Sequence, residues 1–75
     1  MEKVENAAMI GERLRAIRDI RPKTKVAKAI GISYSALCKY EAGLRIPTGP
    51  MKKRIAEYYG TSVEDLFYAN GNHET

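Results

Sequence analysis

Tyr34, Ser35, Cys38 and Lys39 place a phenol, a hydroxyl, a thiol and an ammonium within six residues of chain. In that stretch only Leu37 is strongly apolar on the inner face, with Ala36 and part of Tyr40 beside it, so the opposite face carrying the four polar groups must point outward. An exposed face of mixed polarity on a rigid helix points to recognition. Catalysis finds no comparable set of groups. It would need a nucleophile or carboxylate beside a base in a pocket, whereas the single histidine, His73, lies in the tail and the adjacent Glu64 and Asp65 fit a helix start. Cys38 and His73 lack the spacing of a metal site, and one cysteine forms no internal disulfide. No enzyme, metal or cofactor is therefore expected. Cys38 itself, next to Lys39, suits a small spacer or a redox-sensitive thiol.

The elements that must position this face are read from apolar spacing and helix punctuation. Val26, Ala27 and Ile30 recur at helical spacing, Gly31 stops that helix, Ile32 plugs the turn, and Ser33 caps the next helix, 34–42, which Gly43 ends. Ahead of it, Ile10, Leu14 and Ile17 predict a first helix over 8–19 with arginines on its outer face. Pro22 then sits in the connection or first turn of the second helix, because it fixes φ and lacks an N–H. A loop over 44–49 holds Arg45 between Gly43 and Pro47. Pro50 opens a fourth helix through Ile55, Ala56, Tyr58 and Tyr59, closed by Gly60. Ser62 caps a last helix holding Val63, Leu66, Phe67 and Tyr68, with Glu64 and Asp65 in its first turn, where the macrodipole favours negative charge; Asn70 and Gly71 stop it. No strand alternation or repeat competes, and the predicted fold is all-α: a compact five-helix bundle with a helix-turn-helix.

Seventy-five residues make one small domain, near the size at which a single core gives modest stability. The expected organisation is a flexible N-terminal arm over 1–8, the domain over 9–69 and a frayed tail over 70–75. Met1 to Ile10 mixes Glu2, Lys3, Glu5 and Asn6 with a few apolar residues, so it reads as neither signal peptide nor membrane span, and the expected compartment is the cytoplasm. The net charge is +4, and its distribution says more than its size. All but Lys3 of the thirteen lysines and arginines lie between Gly11 and Arg54, against only Glu12, Asp19 and Glu41, whereas Glu57, Glu64, Asp65 and Glu74 make the C-terminal side acidic. That asymmetry is the footprint of a polyanion on one side, although lysines and arginines also serve simply as a solvated surface.

Taken together, IGERLRAIR at 10–18, VAKAIGIS at 26–33, KYEAG at 39–43, Pro47, RIAEYYG at 54–60 and TSVEDLF at 61–67 resemble, in order, the signature segments of the Xre/Cro/CI helix-turn-helix repressor domains. The resemblance covers residues 10–67 and implies a lambda-repressor-like DNA-binding fold. It also implies sequence-specific binding of double-stranded DNA by a small transcriptional regulator, expected to be a repressor, with helix 34–42 in the major groove. Base reading falls by the same resemblance to Tyr34, Ser35 and Lys39, with Cys38 close by. Their chemistry suits such reading, since lysine donates to guanine O6 and N7, serine donates or accepts, and a tyrosine meets a thymine methyl or a phosphate. For Tyr34 the other reading is a ring packed over Lys39 or Tyr58.

Phosphate clamping is implied for Lys23 and Thr24 at the start of the second helix and for Arg45 in the loop, with Lys52 beyond it. Arg18, late in the first helix, is implied to pair with Glu41 and so orient the reading helix. The chain departs from the family pattern in a shorter connection between the first two helices, in Pro22 and Lys23 replacing a polar Ser-Gln pair, and in Gly49 at a position often held by a buried leucine. Family members bind as two-fold dimers on palindromic operators, which implies a homodimer here, with Tyr59, Phe67 and Tyr68 expected at its interface. The same scaffold also serves protein-interaction modules, such as antitoxin-type or peptide-partnered regulators. No membrane or small-molecule partner is evident.

Overall fold

A computed structural model describes residues 6–68, and helix punctuation sets its elements. In α1 (Ala7–Arg18), the Asn6 side-chain oxygen accepts from the Met9 N–H at 3.1 Å, satisfying a donor that the first turn leaves open. The helix therefore starts inside the stretch 1–8 expected as an arm. The rest of that arm and the expected tail at 70–75 lie outside the described residues. Pro22, extended, precedes α2 (Lys23–Ile30), which stops at Gly31 in the left-handed region, φ 93°. The Ser33 hydroxyl accepts from the Ala36 N–H at 2.9 Å and opens α3 (Tyr34–Glu41). Thr48 does the same for α4 (Gly49–Tyr59), whose second position is Pro50, where a missing N–H costs nothing. After Gly60, Ser62 accepts from Asp65 at 3.0 Å and the chain enters α5 (Glu64–Tyr68), a short segment wound as a π-helix.

Each helix turns one apolar face inward. Ile10 and Leu14 of α1, Val26 and Ile30 of α2, Leu37 of α3, Ile55 of α4 and Phe67 of α5 meet in one core and are each at most 5% exposed. α3 rests against α1 and α2, α4 against α2, and α5 closes the bundle against α1. Two backbone features let α1 and α2 pack so closely around α3. Gly11 sits where a Cβ would stand 2.4 Å from the Glu41 carbonyl oxygen, so only glycine lets α1 lie on the end of α3. The link between α1 and α2 is compressed into a tight turn in which the Arg21 N–H reaches the Arg18 carbonyl at 3.0 Å. Asp19 takes φ 56°, ψ −122° there, the first central position of a type II′ turn that normally asks for glycine.

The C-terminal half corrects two expectations. Lys52, expected at a phosphate, is only 4% exposed: it shares the inward stripe of α4 with Ile55 and Ala56, and its ammonium donates to the Tyr68 hydroxyl at 2.6 Å over the Phe67 and Tyr68 rings. Phe67, expected at a dimer interface, is 1% exposed and among the largest fully buried side chains, because it joins Leu66 in the core that α5 closes against α1.

Candidate nucleic-acid interface

The geometry of the candidate interface begins at the turn. Gly31 lets the chain reverse, and the Gly31 and Ile32 N–H groups both reach the Ala27 carbonyl, at 2.9 Å each. Ile32 packs partly into the core, which anchors the start of α3 from below. With Leu37, Tyr40 and Glu41 buried, the remaining residues of α3 are presented outward: Tyr34, Ser35 and Lys39 are exposed, and Cys38 is half-buried. The Tyr34 phenol is pushed above its ordinary pKa, chiefly by hydrogen bonding with the Cys38 side chain one turn along.

The far end of α3 is gripped by α1. Arg18 donates from Nε to Glu41 Oε2 at 2.7 Å and from Nη2 to Oε1 at 3.0 Å, a bidentate pair in which the Glu41 side chain is 3% exposed and that of Arg18 is 16% exposed. Such a fork fixes orientation as well as distance. The carboxylate raises the Arg18 pKa further, against the opposing effect of burial. Arg15, one turn earlier, donates from Nη1 to the Glu41 main-chain carbonyl, one of the acceptors that a helix leaves open at its C-terminus. Arg18 also donates from Nη1 to the Arg21 carbonyl at 2.9 Å, and Arg21 lies over the Tyr59 ring at 5.5 Å, so one basic cluster ties α1, the tight turn, α3 and α4 together.

Lys23 is half-buried and Thr24 exposed at the start of α2, where no side chain caps the first backbone N–H groups. Arg45 is exposed in the loop after α3, beside Leu44, which is 77% exposed. Tyr59 and Tyr68 are half-buried against the core. Burial lifts the Tyr59 pKa to about 12, and its hydroxyl, although sequestered from water, has no hydrogen-bond partner among the described residues. Among the described residues no group of three or more His, Cys, Asp or Glu side chains could hold a metal ion, and no helix is long and apolar enough to cross a membrane.

Three structural residues escape a reading of the sequence. Gly11 and Arg15 have a local sign, since they stand on the same helix as Arg18 at near-helical spacing from it. Arg54 has none: its guanidinium crosses from α4 to the Ile30 carbonyl at 2.6 Å and closes the C-terminus of α2.

A helix-turn-helix family model matches residues 14–66, from Leu14 of α1 to Leu66 of α5. The chain is 36% identical over 62 residues to an uncharacterized HTH-type transcriptional regulator, YazB, of Bacillus subtilis strain 168, across 80% of this chain and 90% of that one. Among solved structures, the SOS-response transcriptional repressor LexA of Eubacterium rectale superposes with a TM-score of 0.81 at 23% identity, over 96% of this chain and 79% of that one. The DNA-binding domain of BldD superposes with a TM-score of 0.71 at 27% identity, over 83% of this chain and 93% of that one.

Proposed function

Because the chain belongs to the Xre/Cro/CI-type helix-turn-helix family of transcriptional regulators, we propose that it reads a specific double-stranded DNA sequence with α3 in the major groove and acts as a dimeric repressor on a palindromic operator. The observation that carries this reading is the division of α3 into a gripped face and an open one. Arg18 and Arg15 hold Glu41, while Tyr34, Ser35 and Lys39 stand in solvent on a helix that cannot rotate without breaking the bidentate pair.

In this reading Tyr34, Ser35 and Lys39 meet base edges with Cys38 beside them, and the tightly wound link of α1 and α2 brings Lys23 and Thr24 to the phosphates on one flank. Arg45 serves the other flank. Phosphate contacts set register and affinity, and base contacts set sequence. With Lys52 inside the core, Lys23 and Arg45 are the cations left for the clamp. A dimer would then place four such cations on phosphates, and binding should weaken with salt with a logarithmic slope of roughly −3 to −4. The partly exposed Tyr59 and Tyr68, with exposed Tyr58 edge-on to Tyr59, remain the aromatics for contact with a second copy.

The test is titration of an operator duplex with wild type and with Lys39→Glu and Arg45→Glu. Both exchanges lie on exposed side chains, so melting temperature should hold while DNA affinity falls by at least tenfold. Unchanged affinity in both variants would refute the reading and turn attention to a protein partner of the same scaffold.

A further inference from the structure

The chain turns from α2 to α3 at Gly31, φ 93°, and the backbone there has little restraint of its own, because a glycine adopts either sign of φ about equally. The direction in which α3 leaves therefore depends on what fixes the peptide between Ile30 and Gly31. The Gly31 and Ile32 N–H groups are both spent on the Ala27 carbonyl, and the Ile30 carbonyl is one of the acceptors that α2 leaves open at its end. Arg54 takes it from outside: Nη2 donates across from α4 at 2.6 Å, and the same guanidinium fills the space that a Cβ on Gly31 would need. The peptide unit is planar, so rotating that carbonyl changes ψ of Ile30 and φ of Gly31 together, and the contact restrains the turn itself. Arg18 and Arg15 hold the far end of α3 at Glu41. Arg54 supplies a second point of support at the near end, where the outward residues are Tyr34 and Ser35. An open groove of about 330 Å³, lined by Ala29, Ile30, Arg54, Glu57 and Tyr58, lies at the same place. Water can therefore replace the guanidinium at the carbonyl, and the stability cost of removing it stays small.

We infer that Arg54 is a positioning residue for DNA reading: by holding the Ile30 carbonyl and packing on Gly31 from α4, it sets the direction in which α3 starts and so aligns Tyr34 and Ser35, without touching DNA itself. This rests on the DNA-reading function proposed above and extends its machinery to a side chain on α4.

The probes are the duplex that the full wild-type chain selects from a random library and a scrambled duplex of the same length, each titrated across a salt series. Arg54→Met keeps the stem and loses every donor; a turn then set correctly about a tenth of the time weakens binding to the selected duplex about tenfold. Affinity for the scrambled duplex and the salt slope should stay at their wild-type values, since phosphate contacts supply both. Arg54→Lys, which keeps the charge and a donor, should recover most of the discrimination. Circular dichroism well below the melting transition checks folding, and Arg54→Gln replaces the methionine variant if that one unfolds. An unchanged ratio of selected to scrambled affinity in the folded variant would overturn the inference. So would equal weakening of both duplexes with a salt slope smaller by about one, the mark of a lost phosphate contact. A library from which the wild-type chain enriches no duplex would overturn the DNA-reading function itself, and this inference with it.

Discussion

Replacing Glu41 by alanine tests how α3 is held. The carboxylate is 3% exposed and receives two hydrogen bonds from a guanidinium that is itself 16% exposed. Breaking a buried pair from one side costs about 3–5 kcal/mol, because the surviving charge keeps its desolvation penalty without its partner. Arg18 is not wholly dry and retains the Arg21 carbonyl as an acceptor at 2.9 Å, so the loss falls at or just below the bottom of that range, about 2–3 kcal/mol. At roughly 4–8 °C per kcal/mol for a domain of this size, the melting temperature should fall by about 10–20 °C. The assay is thermal unfolding followed by far-ultraviolet circular dichroism, paired with urea titration. Arg18→Met combined with Glu41→Leu supplies the control. It removes both charges and fills the same space, and should recover most of the loss, since apolar replacement of a buried pair is commonly neutral or stabilising. A fall of less than about 3 °C in Glu41→Ala, or a double variant no better than the single one, would refute the reasoning.

Three further outcomes follow from the same structure. Asp19→Gly should raise stability by about 0.5–1.5 kcal/mol, the relief of a positive-φ residue less the added freedom of glycine in the unfolded chain, and a lower melting temperature would contradict the turn assignment. Gly11→Ala should lower stability by about 1–3 kcal/mol despite alanine's better helix propensity, because the new methyl meets backbone of α3 rather than a yielding side chain; urea unfolding decides it. Tyr59→Phe should stabilise by about 0.5–1 kcal/mol at neutral pH by removing a sequestered hydroxyl without a partner among the described residues. Its advantage should widen as pH rises from 10 to about 12: there the unfolded tyrosine has lost its proton while the folded one keeps it, so wild-type stability falls with pH through that window. Parallel unfolding curves of the two proteins across that range would contradict it.

What the chain announces in advance is whatever depends on neighbours in sequence. Ser33, Gly31 and Gly60 mark helix ends because capping and left-handed φ are local demands, and the structure places all three in those roles. The outer face of α3 is legible because Leu37 alone marks the inner one. Lys52 and Phe67 mislead for opposite reasons. A lysine's charge argues for solvent, yet Lys52 lies one turn ahead of Ile55 and Ala56 on the inward stripe, and the Tyr68 hydroxyl and aromatic rings that receive its ammonium come from another element. Phe67 misleads because an aromatic near the end of the domain suits an interface or the core equally, and which of the two it fills is decided by α1, against which α5 packs. The bridge from Arg54 to the Ile30 carbonyl depends on how close α4 and α2 lie in space, which spacing along the chain does not express.

Selection of bound duplexes from a random DNA library at near-physiological salt, followed by sequencing of the enriched pool, tests the central claim most directly. The expected result is a short palindrome with half-sites about one helical turn apart. A pool with no enriched sequence, bound only weakly and lost on raising the salt, would contradict it.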